Sequence, residues 1–306
     1  MSAIAANVDS CISSLLDGEL ARWGSVDPEL TAPFVALRDL VLAGGKRLRP
    51  AFCHWAFVGA GGSPNEPELW NAGAALELLH TFALIHDDVM DGSATRRGLD
   101  TIHLLFEARH YLESWRGEGR RFGEGVAILA GDLAFVYADR MLAGAPPEAI
   151  DVFTELRLEV NIGQYLDLVG TARGVVSEGS ARRISRFKSG KYTIERPLHL
   201  GAALAGRLAE LAAPLSAYGL PLGDAFQLRD DLLGVFGDAT VTGKPVGEDL
   251  REGKPTLLWV FAAEGASGAG ARVLERYGAD DLSDQEVAAL QEVLVNSGAV
   301  ARLESA

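Results

Sequence analysis

Apolar residues recur along this 306-residue chain at intervals of three and four, and alternating stretches are scarce. This spacing is typical of amphipathic helices, whereas alternation would indicate strands. The pattern predicts helices over 28–42, 66–91, 123–143, 147–172, 180–208, 214–236, 254–264 and 283–294. Clusters of Gly, Pro and Ser predict the connecting loops at 60–65, 92–100, 114–123, 144–147, 173–180 and 237–253. We therefore predict a single all-α domain over residues 1–306.

The segment 66–91 is the most apolar of these helices. It is nearly all apolar from Ala72 to Ile85, which implies burial on most of its sides. It ends in three aspartates, so its polar end differs sharply from its body.

Composition narrows the class of protein. The chain carries 28 Lys and Arg against 42 Asp and Glu, a formal charge of −14, which argues against a general nucleic-acid-binding protein. Cys11 and Cys53 form no CxxC motif, so we expect neither a disulfide framework nor a zinc ribbon, and we expect a cytoplasmic location. The start of the chain lacks a basic segment, and no apolar run approaches the length of a membrane span, so we expect no signal peptide and no stable membrane insertion.

The acidic cluster is Asp87-Asp88-Val89-Met90-Asp91. On a helix, Asp87 and Asp91 share a face and Asp88 lies about 100° around it. Three carboxylates within one turn repel each other unless a divalent cation lies between them, and Mg²⁺ prefers such oxygen ligands together with phosphate oxygens. The alternative is a solvated acidic helix end. That alternative is disfavoured because acids at a helix C-terminus oppose the macrodipole.

A second acidic cluster lies within the apolar sequence DAFQLRDDLLGVF. Gln227 precedes Asp230 by three residues and Asp231 by four, so all three side chains can face one cavity. We expect the two acidic helices to face each other across a polyphosphate. Alone, the second cluster would be interpreted as a surface pair.

Cations accompany both clusters. Gly44-Gly45 precedes three cations in four residues, namely Lys46, Arg47 and Arg49, a combination that fits a phosphate site without being a Walker A loop. The other candidates are Arg96, Arg97, His80, Lys188, Lys191, Lys244 and Lys254. A core histidine is the alternative for His80, and surface charge is the alternative for any single lysine.

Together these residues resemble the trans-isoprenyl diphosphate synthases, that is, the polyprenyl synthetase family. The resemblance rests on GGKRLRP at 44–50, LLHTFALIHDDVMDGSATRRG at 78–98, GQYLD at 163–167, KSGKYT at 188–193, FQLRDD at 226–231 and GKP at 243–245. The motifs occur in the family's order and cover most of residues 40–260. The resemblance implies an isoprenoid-synthase-type helical bundle around a deep central cavity, a homodimer, and roles for individual residues.

The implied roles fall into groups. The ligands of three Mg²⁺ ions would be Asp87, Asp91 and Asp230, and the residues implied in catalysis are Asp87, Asp88, Asp91, Lys188, Gln227, Asp230, Asp231 and Lys244. The implied allylic diphosphate contacts are Arg96, Lys188, Ser189, Gln227, Lys244 and Lys254. The implied pocket for isopentenyl diphosphate consists of Gly45, Lys46, Arg49, His80 and Arg97. Gln164 and Asp167 match a polar pair on the cavity wall.

The chain departs from the family pattern in three places. The second motif has Gly234 where a third Asp is usual, so one potential ligand is missing, and Asp238 lies too far along to replace it directly. Ser189 stands in place of the usual Thr and keeps the hydroxyl. Relatives commonly continue for another helix or two after the point where this sequence ends, which predicts that part of the C-terminal wall is missing.

The expected reaction is condensation of isopentenyl diphosphate with an allylic diphosphate. Product length would depend on Leu79, Phe82 and Ala83, which precede the first motif. A large Phe82 beside a small Ala83 resembles the pattern of geranylgeranyl diphosphate producers, with farnesyl diphosphate as the next choice. The helical wheel places Phe82 about 140° from Asp87, so helix geometry alone does not support Phe82 as the floor of the product tunnel, the residue that limits chain length.

Two alternatives remain open at this point. A class I terpene cyclase would keep the first motif, but it needs a different second metal site from the DDLLG found at 230–234. A catalytically silent partner subunit of a synthase is compatible with Gly234 and with the end of the sequence.

Overall fold

The structure is a computed structural model that describes residues 1–174, 177–237, 246–279 and 281–306. Its longer helices, in chain order, are α1 (Ser2–Gly24), α2 (Ala32–Leu42), α3 (Leu48–Gly59), α4 (Pro67–Asp91), α5 (Ile102–Leu112), α6 (Gly119–Met141), α7 (Pro147–Arg173), α8 (Glu178–Ser185), α9 (Arg196–Leu204) and α10 (Leu208–Phe236). They are followed by α11 (Glu248–Glu252), α12 (Leu257–Gly265), α13 (Ala269–Leu274), α14 (Asp284–Asn296) and α15 (Ala299–Glu304). A 3₁₀ turn at Pro28–Thr31 precedes α2, and a π-helix at Arg186–Glu195 joins α8 to α9. The expected all-α class is confirmed.

Two short strands form the only sheet in the described part of the chain. Thr95–Arg96 (β1) pairs antiparallel with Leu99–Asp100 (β2). The turn between them, Arg97-Gly98, has φ values of 55° and 76°. Positive φ at both central residues is the geometry of a type I′ hairpin turn, which matches the natural twist of paired strands.

The chain divides into two compact units, so the single domain over 1–306 stays a prediction. The first unit comprises Met1–Phe153 and Pro197–Ala212, and the second comprises Thr154–Arg196 and Ala213–Ala306. No helix in the described residues is both long enough and apolar enough to cross a membrane.

The first unit is built around α4, which packs against α3 and α6. Helix α6 lies close to α4 because small residues occupy its buried positions. Ala127, Ala130 and Ala134 are fully buried. At Gly131 the helices are so near that an added Cβ would lie 2.3 Å from the His86 ring. The core of the first unit therefore depends on small side chains as much as on large ones.

The second unit has its own apolar core. It is centred on α12, whose residues Leu257, Leu258 and Phe261 are buried against residues of α14 and α15 such as Leu290 and Leu303. This core supports the C-terminal part of α10, where Val235 is buried in the same cluster.

Several elements differ from the sequence expectation. The helix predicted over 180–208 is interrupted by the π-helix, and the loop predicted over 114–123 is helical from Gly119 onward. Helices α1, α3 and α5 were not predicted. The signal for α1 was present, since Ile4, Val8, Ile12 and Leu16 recur every four residues and are all buried.

Candidate functional site

The first aspartate motif lies at the end of α4. The helix ends at Gly92, which adopts the left-handed conformation (φ 67°) and donates its N–H to the Asp88 carbonyl. Asp87 and Asp91 are half-buried, whereas the Asp88 side chain is buried. The Gly cap thus places the carboxylates at the negative end of the helix dipole, where a cation is favoured.

Asp88 has a partner within the protein. Arg96, on strand β1, donates from Nε (2.8 Å) and Nη2 (2.5 Å) to the same Asp88 oxygen, Oδ1. This pairing explains how a buried carboxylate is tolerated, because a charge-assisted hydrogen bond offsets its desolvation. The roles of Asp87 and Asp91 as metal ligands stay a prediction.

Arg47 fixes the glycine-rich loop that precedes α3. It is 2% exposed and adopts φ 49°. Its guanidinium donates to Asp9 (2.9 Å), to Glu77 on α4 (2.9 Å) and to the Val41 carbonyl (2.6 Å). The sequence grouped Arg47 with phosphate-binding cations, but its donors are directed at protein groups, so its structural role is to anchor the loop.

The predicted isopentenyl diphosphate residues are grouped around His80. Burial lowers the pKa of His80 well below its ordinary value, and Arg49, Arg97, Arg96 and Arg47 lower it further because they are nearby positive charges. His80 is therefore neutral near pH 7. The structure thus brings Arg49 of α3 and Arg96 and Arg97 of the β1–β2 hairpin close to one histidine.

The Gly45 backbone borders the same cluster. Arg97 donates to the carbonyls of Leu40 (3.0 Å) and Val41 (3.3 Å), and a Cβ added at Gly45 would lie 3.2 Å from Arg97 Nη2. A larger residue at 45 would also be strained by φ 140°. Lys46 is exposed beside it.

The second aspartate motif lies on α10. Asp230 is exposed, and Asp231 is buried and accepts a 2.6 Å hydrogen bond from Gln227 Nε2. Burial, together with the nearby charges of Asp249 and Asp230, raises the pKa of Asp231 to about 8, although Gln227 and Lys254 act in the opposite sense. The carboxylates of this motif are thus not fully balanced by nearby positive charge.

Asp249 lies where the missing third aspartate would be. A Cβ added at Gly234 would be only 2.0 Å from Asp249 Oδ2. A carboxylate from α11 therefore occupies the space beside the face of α10 that a side chain at 234 would otherwise fill. From the sequence alone, position 234 is only a lost ligand, because Asp249 belongs to another element and its place is known only from the fold.

Lys254 follows α11. Its Nζ lies 2.6 Å from Glu252 Oε2 and 3.9 Å from Asp249 Oδ1. The predicted diphosphate contact Lys244 falls outside the described residues, as does Asp238.

The other predicted lysine, Lys188, lies in the π-helix. Its Nζ donates to Asp167 Oδ2 at 2.5 Å. Asp167 is buried and Gln164 is half-buried, both on α7. The predicted polar pair therefore includes a direct partner of Lys188, a link that spacing along the chain could not reveal.

The predicted chain-length residues lie on α4 in the first unit. Leu79 is fully buried, and Phe82 and Ala83 are half-buried. The Phe82 ring contacts His86 (centroids 4.6 Å apart) and Phe135 of α6 (4.8 Å). Their role in product length stays a prediction, and so does the central cavity.

Comparison with known proteins identifies the class. Residues 34–294 match the sequence pattern of the polyprenyl synthetase family. The geranylfarnesyl diphosphate synthase of Aeropyrum pernix is 33% identical over 300 residues, covering 95% of this chain and 87% of that protein. The geranylgeranyl diphosphate synthase of Sulfolobus acidocaldarius is 34% identical over 267 residues, covering 84% and 72%.

The fold is similar to that of solved structures. The crystal structure of a geranylgeranyl pyrophosphate synthase from Corynebacterium glutamicum, complexed with isoprenyl diphosphate and magnesium, has a TM-score of 0.93 and 38% identity, covering 99% of this chain and 88% of that one. The chain belongs to the polyprenyl synthetase family. It is a prenyltransferase, which sets aside the terpene cyclase alternative.

Proposed function

We propose that this chain condenses isopentenyl diphosphate with an allylic diphosphate in a Mg²⁺-dependent reaction, and that the main product is all-trans geranylgeranyl diphosphate. The observation that supports this most strongly is the arginine cluster around neutral His80, which adjoins the aspartates at the end of α4. The arginines would bind the diphosphate of one substrate, and the aspartates would bind the metal ions that hold the other. Relatives named as geranylgeranyl diphosphate synthases support the product.

The isopentenyl diphosphate is bound by Gly45, Lys46, Arg49, His80 and Arg97 in this proposal. Arg49, Arg97 and Lys46 supply positive charge, and neutral His80 adds a hydrogen bond without adding another charge to the cluster. Because Arg97 is also bonded to two backbone carbonyls, its guanidinium is already oriented before substrate arrives.

The allylic diphosphate is bound by Lys188, Ser189, Gln227 and Lys254, with Lys244 and Arg96 as further contacts. Lys188 and Lys254 now pair with carboxylates of the protein. Because an ammonium group has three donors, each lysine can bind the diphosphate while it keeps its carboxylate partner.

The residues of both aspartate motifs fit Mg²⁺, which prefers carboxylate and phosphate oxygens. Asp87, Asp91 and Asp230 are the proposed ligands, and Asp249 supplies the third carboxylate that Gly234 cannot. No three Asp, Glu, His or Cys side chains among the described residues form a ready metal cage. We propose that these residues would hold three ions together with the diphosphate, which would supply further oxygen ligands.

The magnesium ions, when bound, neutralise the charge that develops on the departing diphosphate. Lys188 and Lys254 stabilise the same charge as the allylic C1–O bond breaks. The double bond of isopentenyl diphosphate then forms the new bond to C1, and a proton leaves its C2 carbon for the released diphosphate. No side-chain base is needed in this sequence of steps.

We also propose that the chain acts as a homodimer through α6. Leu129 and Val136 are 62% and 59% exposed on this helix. They border an apolar groove of about 460 Å³ whose lining includes Phe34, Phe106 and Phe122. An exposed apolar face of this kind is typical of an interface between subunits.

The function is tested by incubating the purified chain with farnesyl diphosphate, isopentenyl diphosphate and Mg²⁺. We expect geranylgeranyl diphosphate and released pyrophosphate, and we expect neither when EDTA replaces Mg²⁺. Absence of turnover would indicate the silent partner subunit, and consumption of the allylic diphosphate without isopentenyl diphosphate would contradict a synthase. Sedimentation of Leu129→Glu beside Glu113→Gln, an exposed control, tests the dimer: only the former should yield monomers.

A further inference from the structure

The π-helix Arg186–Glu195 contains two lysines whose surroundings differ. Lys188 pairs with Asp167, as described above. Lys191, three residues later, hydrogen-bonds Glu159, a carboxylate that is 4% exposed. π-Helices are rare and commonly mark functional segments, so what holds this one in place matters for the residues it carries.

Glu159 also binds Arg196, at the end of the π-helix. Arg196 donates from Nε to Oε2 (2.6 Å) and from Nη2 to Oε1 (2.8 Å), which is a bidentate pair. Burial alone would raise the pKa of Glu159, but the hydrogen bonds from Arg196 and Lys191 outweigh it and lower that pKa. Glu159 is therefore an anion that binds two cations at once.

A second carboxylate completes the cluster. Glu195 is buried, lies 4.0 Å from the Lys191 ammonium and accepts a 2.6 Å hydrogen bond from Ser216 of α10. Two carboxylates thus face two cations, so the cluster of Glu159, Lys191, Glu195 and Arg196 has no net charge. Removing one member would leave a buried charge uncompensated, which is costly.

One face of α7 lies along this segment. Glu159, Gly163 and Asp167 are spaced by four residues and so share a face. Glu159 binds Lys191 and Arg196, and Asp167 binds Lys188. Between them, a Cβ added at Gly163 would lie 2.5 Å from the Lys188 backbone nitrogen. The same face therefore holds the π-helix at three successive turns.

We propose that Glu159 is a positioning residue for the allylic diphosphate: it ties Lys191 and Arg196 to α7 and thereby fixes the π-helical register that presents Lys188 and Ser189. The inference rests on the proposed function of Lys188. If the π-turn relaxed to an α-turn, one residue's rotation of about 100° would turn Lys188 away from its present direction. Lys191 itself does not touch substrate in this scheme.

The test compares Glu159→Gln with Glu155→Gln. Glu155 lies one turn earlier on the same helix and is exposed, so the control removes the same charge from a position whose influence on Arg196 is smaller than that of Glu159 or Glu195. We expect Glu159→Gln to raise KM for the allylic diphosphate by roughly tenfold to a hundredfold, as misplaced binding groups do. KM for isopentenyl diphosphate should change less than about twofold, and amide hydrogen exchange should increase over 186–196.

Lys191 provides a second, milder test should Glu159→Gln fail to fold. Lys191→Met should reproduce the selective rise in KM, and Lys191→Arg, which retains the cation, should restore it. Equal kinetics for Glu159→Gln and Glu155→Gln, or equal losses for both substrates, would overturn the inference. Inactivity of the wild type and of Glu155→Gln would instead contradict the proposed function itself.

Discussion

The two aspartate motifs solve the same electrostatic problem in different ways. At the end of α4, one of the three aspartates, Asp88, is neutralised by Arg96. On α10, Asp231 accepts a hydrogen bond from the Gln227 amide, and its pKa is raised to about 8 by burial and by neighbouring carboxylates. In the first motif one carboxylate is therefore already paired with a cation of the protein, whereas in the second the raised pKa of Asp231 means that added positive charge favours its ionised form.

The motifs also differ in how they depend on the sequence around them. The first is continuous, with all its carboxylates on one helix. The second is completed from a distance, because Asp249 of α11 occupies the space beside Gly234. By sequence alone, the second motif lacks its third aspartate. In the structure, the Asp249 carboxylate lies beside position 234.

The largest effect should follow from Asp87→Ala. It removes a proposed metal ligand from the first motif, so kcat should fall at least about a thousandfold, as when a main group stabilising the transition state is lost. Steady-state kinetics at saturating Mg²⁺ measures this. Asp151→Ala on the surface of α7 should retain the wild-type rate, and a near-native rate for Asp87→Ala would refute the metal assignment.

A smaller loss is expected for Asp249→Ala. If Asp249 replaces the third aspartate, kcat should fall about tenfold to a hundredfold and the Mg²⁺ requirement should increase. The exposed Asp281→Ala is the matched control. Mg²⁺ titrations of both variants measure the difference.

Exchanging the two positions sharpens this result. Gly234→Asp alone should be harmful, because its side chain would meet the Asp249 carboxylate. Gly234→Asp combined with Asp249→Ala should recover part of the activity. If the double variant is no better than either single change, the two positions are not equivalent.

Phe82→Ala should change the product more than the rate. Phe82 contacts Phe135, and removing its ring would open space on α4 before the first motif. We expect longer prenyl chains with kcat within about threefold of wild type, since no metal ligand is altered. Chromatography of the products measures chain length, and an unchanged product would show that Phe82 does not limit it.

The smallest expected effect concerns stability and pH in the absence of Mg²⁺. Because the pKa of Asp231 is raised from 3.8 to about 8, the folded state binds more protons than the unfolded state between these values. Its contribution to the free energy of unfolding therefore decreases as pH rises from about 4 to 8. Urea unfolding at several pH values should show this slope in the wild type, and the slope should be reduced in Asp231→Asn.

The sequence predicted the elements that depend on local pattern. Helix α4 was predicted to within one residue at its start, because an apolar run with Pro67 before it and Gly92 after it determines a helix locally. The motifs of charged residues were found for the same reason. The arginine cluster around His80 was predicted in part, as separate pieces of a family pattern.

The features that could not be predicted from the sequence depend on contacts between residues far apart in the chain. From the sequence, Arg47 is a candidate phosphate ligand, whereas in the structure its guanidinium donates to Asp9 and Glu77. The π-helix was missed because helical spacing does not distinguish an i→i+5 segment from an α-helix over so few turns. Asp249 was missed because nothing near Gly234 in the sequence indicates which element fills its space.

The central proposal is that both motifs bind the departing diphosphate through magnesium ions. Calorimetric titration of inorganic pyrophosphate, with and without Mg²⁺, into the wild type, Asp87→Ala, Asp230→Ala and the double variant tests it most directly. We predict Mg²⁺-dependent binding in which the two substitutions are strongly non-additive, as expected for groups that act on one ligand. Affinity that is indifferent to Mg²⁺, or losses that simply add, would contradict the account.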